Sequence, residues 1–486
     1  MVRLHGVVMG ASKNAPRRLF CAFDLAPTMT PTRFLMTAVG LAAALCTSAH
    51  AAPSLEGWAL MPAATFSDGP TSGQFGFTNG ASPTNNPPYV NLQPVQGFSG
   101  VLAGPGGSYR LLVDNGFGTQ ASSADSLLRM YALLPDFRTA AGGTGTVSAA
   151  DWNTGAARAS FDASTRITLS DPNRQIGFAI QADFAQYYNG NAARNPGGIA
   201  VDASIRSGKL LTGADLDTES VRQDKNGNLW FGDEFGPYLV KTDASGKVLA
   251  RDVSLPGVFA PENAYRGATP ANLGGSRGFE GMAINRAGDR LYTLLEGTVT
   301  GDAAKTLRIN EFNIDSNLYS ASSWVYKLEA SGTNIGDMTA INDHEFIVIE
   351  RNGATATGGG TPFKKLFKID LNKVGADGTV EKTELVDLMN IADPNDLNGD
   401  GSTTFTFPFV TIENVHVIDA HTLLVVNDNN FPGGGGRALT SDNTEFLKIH
   451  LDQALDVSPV PEPASIALLL GGLALIGFRL RQRQQG

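Results

Sequence analysis

Along the middle of the chain the apolar positions come in short runs, paired about tight turns, and the pairs repeat. The fullest copy runs from Thr411 to Phe431: a carboxylate at Glu413, an apolar strand, a turn at Asp419-Ala-His421, a second apolar strand, then polar Asn427 and Asp428. The same order recurs from Asp217-Thr-Glu219 through Asp224-Lys-Asn-Gly-Asn228 to Leu229-Trp-Phe-Gly-Asp-Glu234, and from Gly278-Phe-Glu280 through Asn285-Arg-Ala-Gly-Asp289 to Leu291-Tyr-Thr-Leu-Leu-Glu296. A fourth copy joins Ile335-Gly-Asp337 to Glu345-Phe-Ile-Val-Ile-Glu350, and a fifth, with Ser99 in place of the acid, leads to Arg110-Leu-Leu-Val-Asp114. Two adjacent strands per repeat, with more strand candidates after each pair, predict an all-β chain folded as a β-propeller.

The anchor residues fall at 99, 219, 280, 337 and 413. The wide first gap has room for a further unit in residues 171–210, so six blades are expected, with five as the alternative. A propeller closes by letting one end of the chain add a strand to the last blade, which removes exposed sheet edges. Gly57-Trp-Ala-Leu-Met61 is the expected closing strand, with Glu445-Phe-Leu-Lys-Ile-His450 as its partner.

The two ends read differently from the domain at 52–458. Basic residues, the apolar run Phe34 to Leu45 and small residues at Ala49-His-Ala51 predict a signal peptide over residues 1–51, with Met1 or Met29 as the start. Signal peptidase is then a partner during export. At the other end Val460-Pro-Glu-Pro463 precedes an apolar segment from Ala464 to Phe478 and the basic Arg479-Leu-Arg-Gln-Arg483, a stop-transfer order expected to form a transmembrane helix. Triplet, span and basic tail over 459–486 resemble the PEP-CTERM sorting signal of Gram-negative bacteria. That resemblance implies export, transient anchoring, processing by an exosortase, and delivery to the cell surface or an extracellular polymer matrix.

Composition narrows the chemistry. Both cysteines, Cys21 and Cys46, lie in the leader, so the exported domain is expected to have no disulfide, thiol nucleophile or thiolate metal site. Acids exceed bases by 47 to 37 overall, and eight of the bases sit at the two ends, which leaves the exported domain more acidic still. Such a surface repels nucleic acid and favours divalent cations.

Inner strands of a propeller converge on one axis, so Glu219, Glu280, Asp337 and Glu413 are expected to meet there as metal ligands. Crowded carboxylates repel unless protons or a hard cation neutralise them, and Ca²⁺ is the expected ion. Asp233, Glu234 and Glu296, at the ends of the adjacent strands, are the candidate catalytic groups, while Arg222, Arg277 and Arg351 are candidates for binding a substrate phosphate. The alternative is that these acids merely repeat because the blade repeats. A second calcium candidate is Asp396-Leu-Asn398-Gly-Asp400-Gly401, which opens like a calcium loop but has Phe407 at the twelfth position instead of Glu. Gly274-Gly-Ser276-Arg-Gly278 matches G-x-S-x-G yet lacks the strand-turn-helix context of a nucleophile elbow.

Gly97-Phe-Ser-Gly-Val101, Leu211 to Ser220, Leu229-Trp-Phe-Gly-Asp-Glu-Phe-Gly-Pro237 and Gly278-Phe-Glu-Gly-Met282 resemble the phytase-like family described as "esterase-like activity of phytase", over roughly residues 55 to 455. The resemblance implies a phosphoesterase-type activity carried by repeated acids, which map onto Glu219, Asp233, Glu234, Glu280, Glu296 and Glu413; Ser99 departs from that pattern. The expected function is therefore metal-assisted hydrolysis of a phosphate ester at a central carboxylate-rich pocket. The alternatives are a calcium-dependent lactone or carboxylic ester hydrolase, and a non-catalytic extracellular matrix or surface-binding propeller.

Overall fold

Alternating and fully apolar strands need a neighbour on each face, and here every blade supplies it to the next. In the computed structural model, which describes residues 52–76, 87–190, 193–437 and 440–457, five antiparallel blades stand around one axis. Their inner strands are Phe98–Ala103, Thr218–Gln223, Phe279–Ile284, Asn334–Ala340 and Ile412–Val417. Each inner strand packs beside the next, and the fifth packs beside the first, so the ring is closed.

The six-blade expectation is corrected to five. The described residues of 171–210 hold short 3₁₀ turns and one helical turn, Ala203–Gly208, and no strand. Ile176, Ile180, Tyr187 and Ile205 of this stretch are buried between blades 1 and 2, with Leu112, Val221 and Phe231. The long spacing is therefore an insertion that thickens one interblade core.

Four more apolar clusters fill the other interfaces: Trp230, Phe279 and Phe312 between blades 2 and 3, Leu294, Met338 and Phe346 between 3 and 4, Ile349, Ile412 and Leu447 between 4 and 5, and Phe98, Leu111 and Phe446 between 5 and 1. At about 25 cal/mol per Å² of apolar area removed from water, these clusters are the main source of stability.

The closing strand lies where the sequence places it. Ser54–Met61 is the fourth strand of blade 5 and runs antiparallel to Thr444–His450, with Trp58 opposite Leu447. Trp58 is 9% exposed, donates from Nε1 to Glu445 Oε2 at 3.1 Å, and has the Arg138 guanidinium over its ring. The signal segment and the expected C-terminal transmembrane helix lie outside the described residues; among the described residues no helix is long and apolar enough to cross a membrane.

Trp58→Ala removes a buried ring and leaves Glu445 short of a donor, so it should destabilise the domain by about 3–5 kcal/mol in chemical denaturation. A loss below about 1 kcal/mol would show that this strand does not hold the ring shut.

Candidate active site

A regular strand would point alternate side chains into the interblade cores. Every inner strand here breaks that alternation with a β-bulge near its start, at Ser99, Glu219, Glu280, Gly336–Asp337 and Glu413. The pairing also makes Val113, Asp233, Leu295, Glu350 and Asn427 equivalent, each opposite the residue just before its bulge. The next residues along, Asp114, Glu234, Glu296, Arg351 and Asp428, therefore form a second ring at the same end of the channel.

The two rings meet in a nearly dry cluster. Glu219, Glu234, Glu280, Glu296 and Glu413 are all buried, and so is Asp217, one residue upstream of the blade 2 strand. Carboxylate oxygens of Asp217, Glu219 and Glu234 lie within 4.8 Å of one another, as do those of Glu234, Glu280 and Glu296. Gly278 permits this crowding, because a Cβ there would sit 2.6 Å from Glu234 Cα.

The charges are unevenly answered. Arg351 Nη2 donates to Glu413 Oε1 at 2.9 Å, Glu280 Oε1 at 3.3 Å and Glu296 Oε1 at 3.4 Å. Glu296 also accepts from Arg277 Nη1 at 2.5 Å and Asn334 Nδ2 at 2.6 Å. Ser99 Oγ donates to Glu413 Oε2 at 3.1 Å, which ties blade 1 to blade 5. On the blade 2 side, Asp217 Oδ1 and Glu234 Oε1 are buried without a hydrogen-bond partner.

Two like charges 4.8 Å apart repel by about 3 kcal/mol at an effective dielectric constant of 20. Burial, then repulsion from Asp217, Glu280, Glu413 and Glu234, pushes the Glu219 carboxyl well above its ordinary range. Burial and the neighbouring acids do the same to Glu234 and Glu280. Burial raises Asp217 to about 6, and it raises Glu413 to about 8 despite the opposing pull of Arg351. The donors are carboxylate oxygens, two of them orphaned, and this set suits a hard divalent cation.

Other sequence candidates lie elsewhere. Asp233 accepts from Asp217 N at 2.8 Å and Gly236 N at 2.7 Å, so it staples the turn that carries Glu234 and does not face the cluster. Asp337 does not join the ring: it accepts from Arg222 Nη2 at 3.0 Å, from its neighbour Met338 N at 2.7 Å and from Val415 N at 3.2 Å. Arg222 is thereby spent on an internal ion pair, beside a cleft at the far ends of the inner strands. Asp396, Asn398 and Asp400 form a turn next to the short outer strands of blade 5, where Asp396 accepts from Gly401 N and Asp400 from Ser402 N. Glu350 accepts from Tyr326 Oη at 2.7 Å and pairs with Lys382 at 2.8 Å, away from the cluster. Ser276, with a positive φ of 43°, lies beside Asp217 in a loop and not on an elbow.

Asp217 is the residue that sequence reasoning passed over. Its signal was present: the position before each inner strand is otherwise Gly97, Gly278, Thr333 or Thr411, and only blade 2 places an acid there. A groove of about 450 Å³ lined by Arg277, Glu296, Thr298, Lys305 and Asn334 opens at the edge of the cluster. A smaller cleft of about 240 Å³, walled by Phe178, Tyr188, Phe235 and Tyr238, lies over blade 2.

Residues 459–484 match the PEP-CTERM protein-sorting motif, so the chain is an exported, surface-sorted protein that an exosortase processes. An uncharacterized secreted protein of Arthroderma benhamiae is 24% identical over 206 residues, 37% of this chain and 36% of that protein, so the match spans about a third of the relative's length. Among solved structures, YCF48 from Cyanidioschyzon merolae is similar with a TM-score of 0.28 and 11% identity, over 72% of this chain and 68% of that one. The PQQ-bound aldose sugar dehydrogenase of Streptomyces coelicolor gives a TM-score of 0.30 and 9% identity, over 82% and 100%. Residues 93–431, which hold blades 1 to 4 and the two inner strands of blade 5, match the family described as esterase-like activity of phytase, and the chain belongs to that family.

Proposed function

We propose that the exported domain hydrolyses phosphate esters at the carboxylate end of the channel, with a divalent cation, Ca²⁺ by its all-oxygen donor set, held by Asp217, Glu219 and Glu234. The observation that carries this reading is the pair of buried oxygens without a hydrogen-bond partner, Asp217 Oδ1 and Glu234 Oε1, in a triad that forms no ion pair among the described residues. When bound, such a cation polarises a phosphoryl oxygen and makes water a better nucleophile.

The side chains supply the rest. Arg277, with 43% of its side chain exposed at the groove, is placed to pair with the substrate phosphate. Glu296, fixed by Arg277, Asn334 and Arg351, is the carboxylate that lines the groove and the best-placed group to take a proton from the attacking water. In the overall step the water oxygen bonds to phosphorus, the ester P–O bond breaks, and the alcohol departs with a proton from the site. Burial of the acids excludes bulk water and strengthens each of these contacts.

Glu234→Gln keeps the shape but removes the shared charge, and should lower kcat/KM on a generic phosphomonoester or phosphodiester at least about a hundredfold with the fold intact. Chelator should do the same to the wild-type protein. Turnover of carboxylic esters alone would instead assign the site to a lactone- or ester-hydrolase, and a bound cation with no turnover of any ester would favour a binding propeller.

The raised carboxyl pKa values also fix a pH dependence. Asp217 and Glu413 hold protons in the folded state up to about 6 and about 8, whereas their ordinary values are 3.8 and 4.5. The folded state therefore binds more protons than the unfolded chain above the ordinary carboxylate range, and this contribution to stability is lost as pH rises through the folded-state values. In chelator, Tm should fall between pH 5.5 and 8, and excess Ca²⁺ should restore most of the drop. A flat Tm across that window would mean that the cluster does not ionise as a buried group.

A further inference from the structure

Of the five equivalent positions in the second ring, four carry acids and one carries Arg351. We infer that the Arg351 guanidinium is a tethered occupant of a second cation position, so that the domain binds one divalent cation where its carboxylates could otherwise bind two. This rests on the cation site proposed at Asp217, Glu219 and Glu234.

The acids form two triads that share Glu234. In the first, two buried oxygens have no partner. In the second, Glu280 and Glu296 both accept from Arg351 Nη2, and so does the adjacent Glu413. Arg351 is itself buried, and its Nε has no partner, so the guanidinium is held in place by charge more than by a full set of hydrogen bonds. It already binds two of the three carboxylates that a second ion would need, and its own charge repels one.

Blade 4 is built for this exchange. Its bulge contributes Gly336 and the turned-away Asp337 instead of an inward glutamate, and its second strand ends in a cation. The position nearest Glu280 and Glu413 is thereby neutralised from within the chain, and the exchangeable cation is confined to the blade 2 side.

Titration of the chelator-stripped full chain with Ca²⁺ by calorimetry tests this. Wild type should bind one ion, Arg351→Met two, and Arg351→Lys, which keeps the charge, one. Two ions in wild type, or one in Arg351→Met, would overturn the tethered-cation inference alone; no ion in any of them would overturn the underlying cation site as well. Should Arg351→Met not fold, Glu296→Gln in the presence of Arg351 gives the second readout: Ca²⁺ affinity within about threefold of wild type is expected, and a loss of more than about tenfold would place the ion at Glu296 and overturn the inference.

Discussion

One extra residue near the start of each inner strand decides what this propeller can do. Side chains on a strand alternate between faces, and in a blade both faces look toward the neighbouring blades. The bulge suspends that alternation for one residue, long enough to turn Glu219, Glu280 and Glu413 toward the axis while Phe279 and Ile412 before two of them stay in interblade cores. Five-fold repetition then turns a local irregularity into a concentration of charge.

That concentration works against the fold. Buried carboxyls are costly unless paired or protonated, and each unpaired oxygen forfeits hydration it would have in the open chain. The ring is kept closed by the five apolar interfaces and by the Ser54–Met61 strand, features that lie away from the cluster and owe nothing to it. Stability and chemistry are thus carried by separate parts of the same blades: the faces of the strands hold the ring, and the bulged starts of the inner strands with the ends of the second strands carry the charge.

Much of this was legible in the chain. The paired apolar runs gave the class, Trp58 and Glu445 marked the closing strand, and the repeated acids pointed to Glu219, Glu234, Glu280, Glu296 and Glu413. The misses are nearly all one-residue matters. Asp233 and Glu234 are neighbours, yet alternation sends one to cap a turn and the other to the cluster. Asp337 sits one place further into its strand than the acids it was grouped with, and that offset pairs it with Arg222. Arg351, and not Glu350, ends the blade 4 strand in the ring, because register and not residue type sets which of two adjacent charges faces inward. A bulge has no sequence signature sharp enough to fix such offsets, and the blade count failed for a different reason: an insertion that buries apolar residues in irregular turns resembles a blade in length but not in pairing.

Symmetry supplies the cluster, and departures from symmetry make it usable. With five identical blades the axis would carry a ring of equivalent acids and no preferred place for an ion or a substrate. Ser99 lowers the charge on the blade 1 side and donates to Glu413, Gly336 withdraws an acid from blade 4, and Arg351 answers three carboxylates at once. What remains unanswered lies on the blade 2 side, among Asp217, Glu219 and Glu234, with Glu296 linking the cluster to the groove that Arg277 borders.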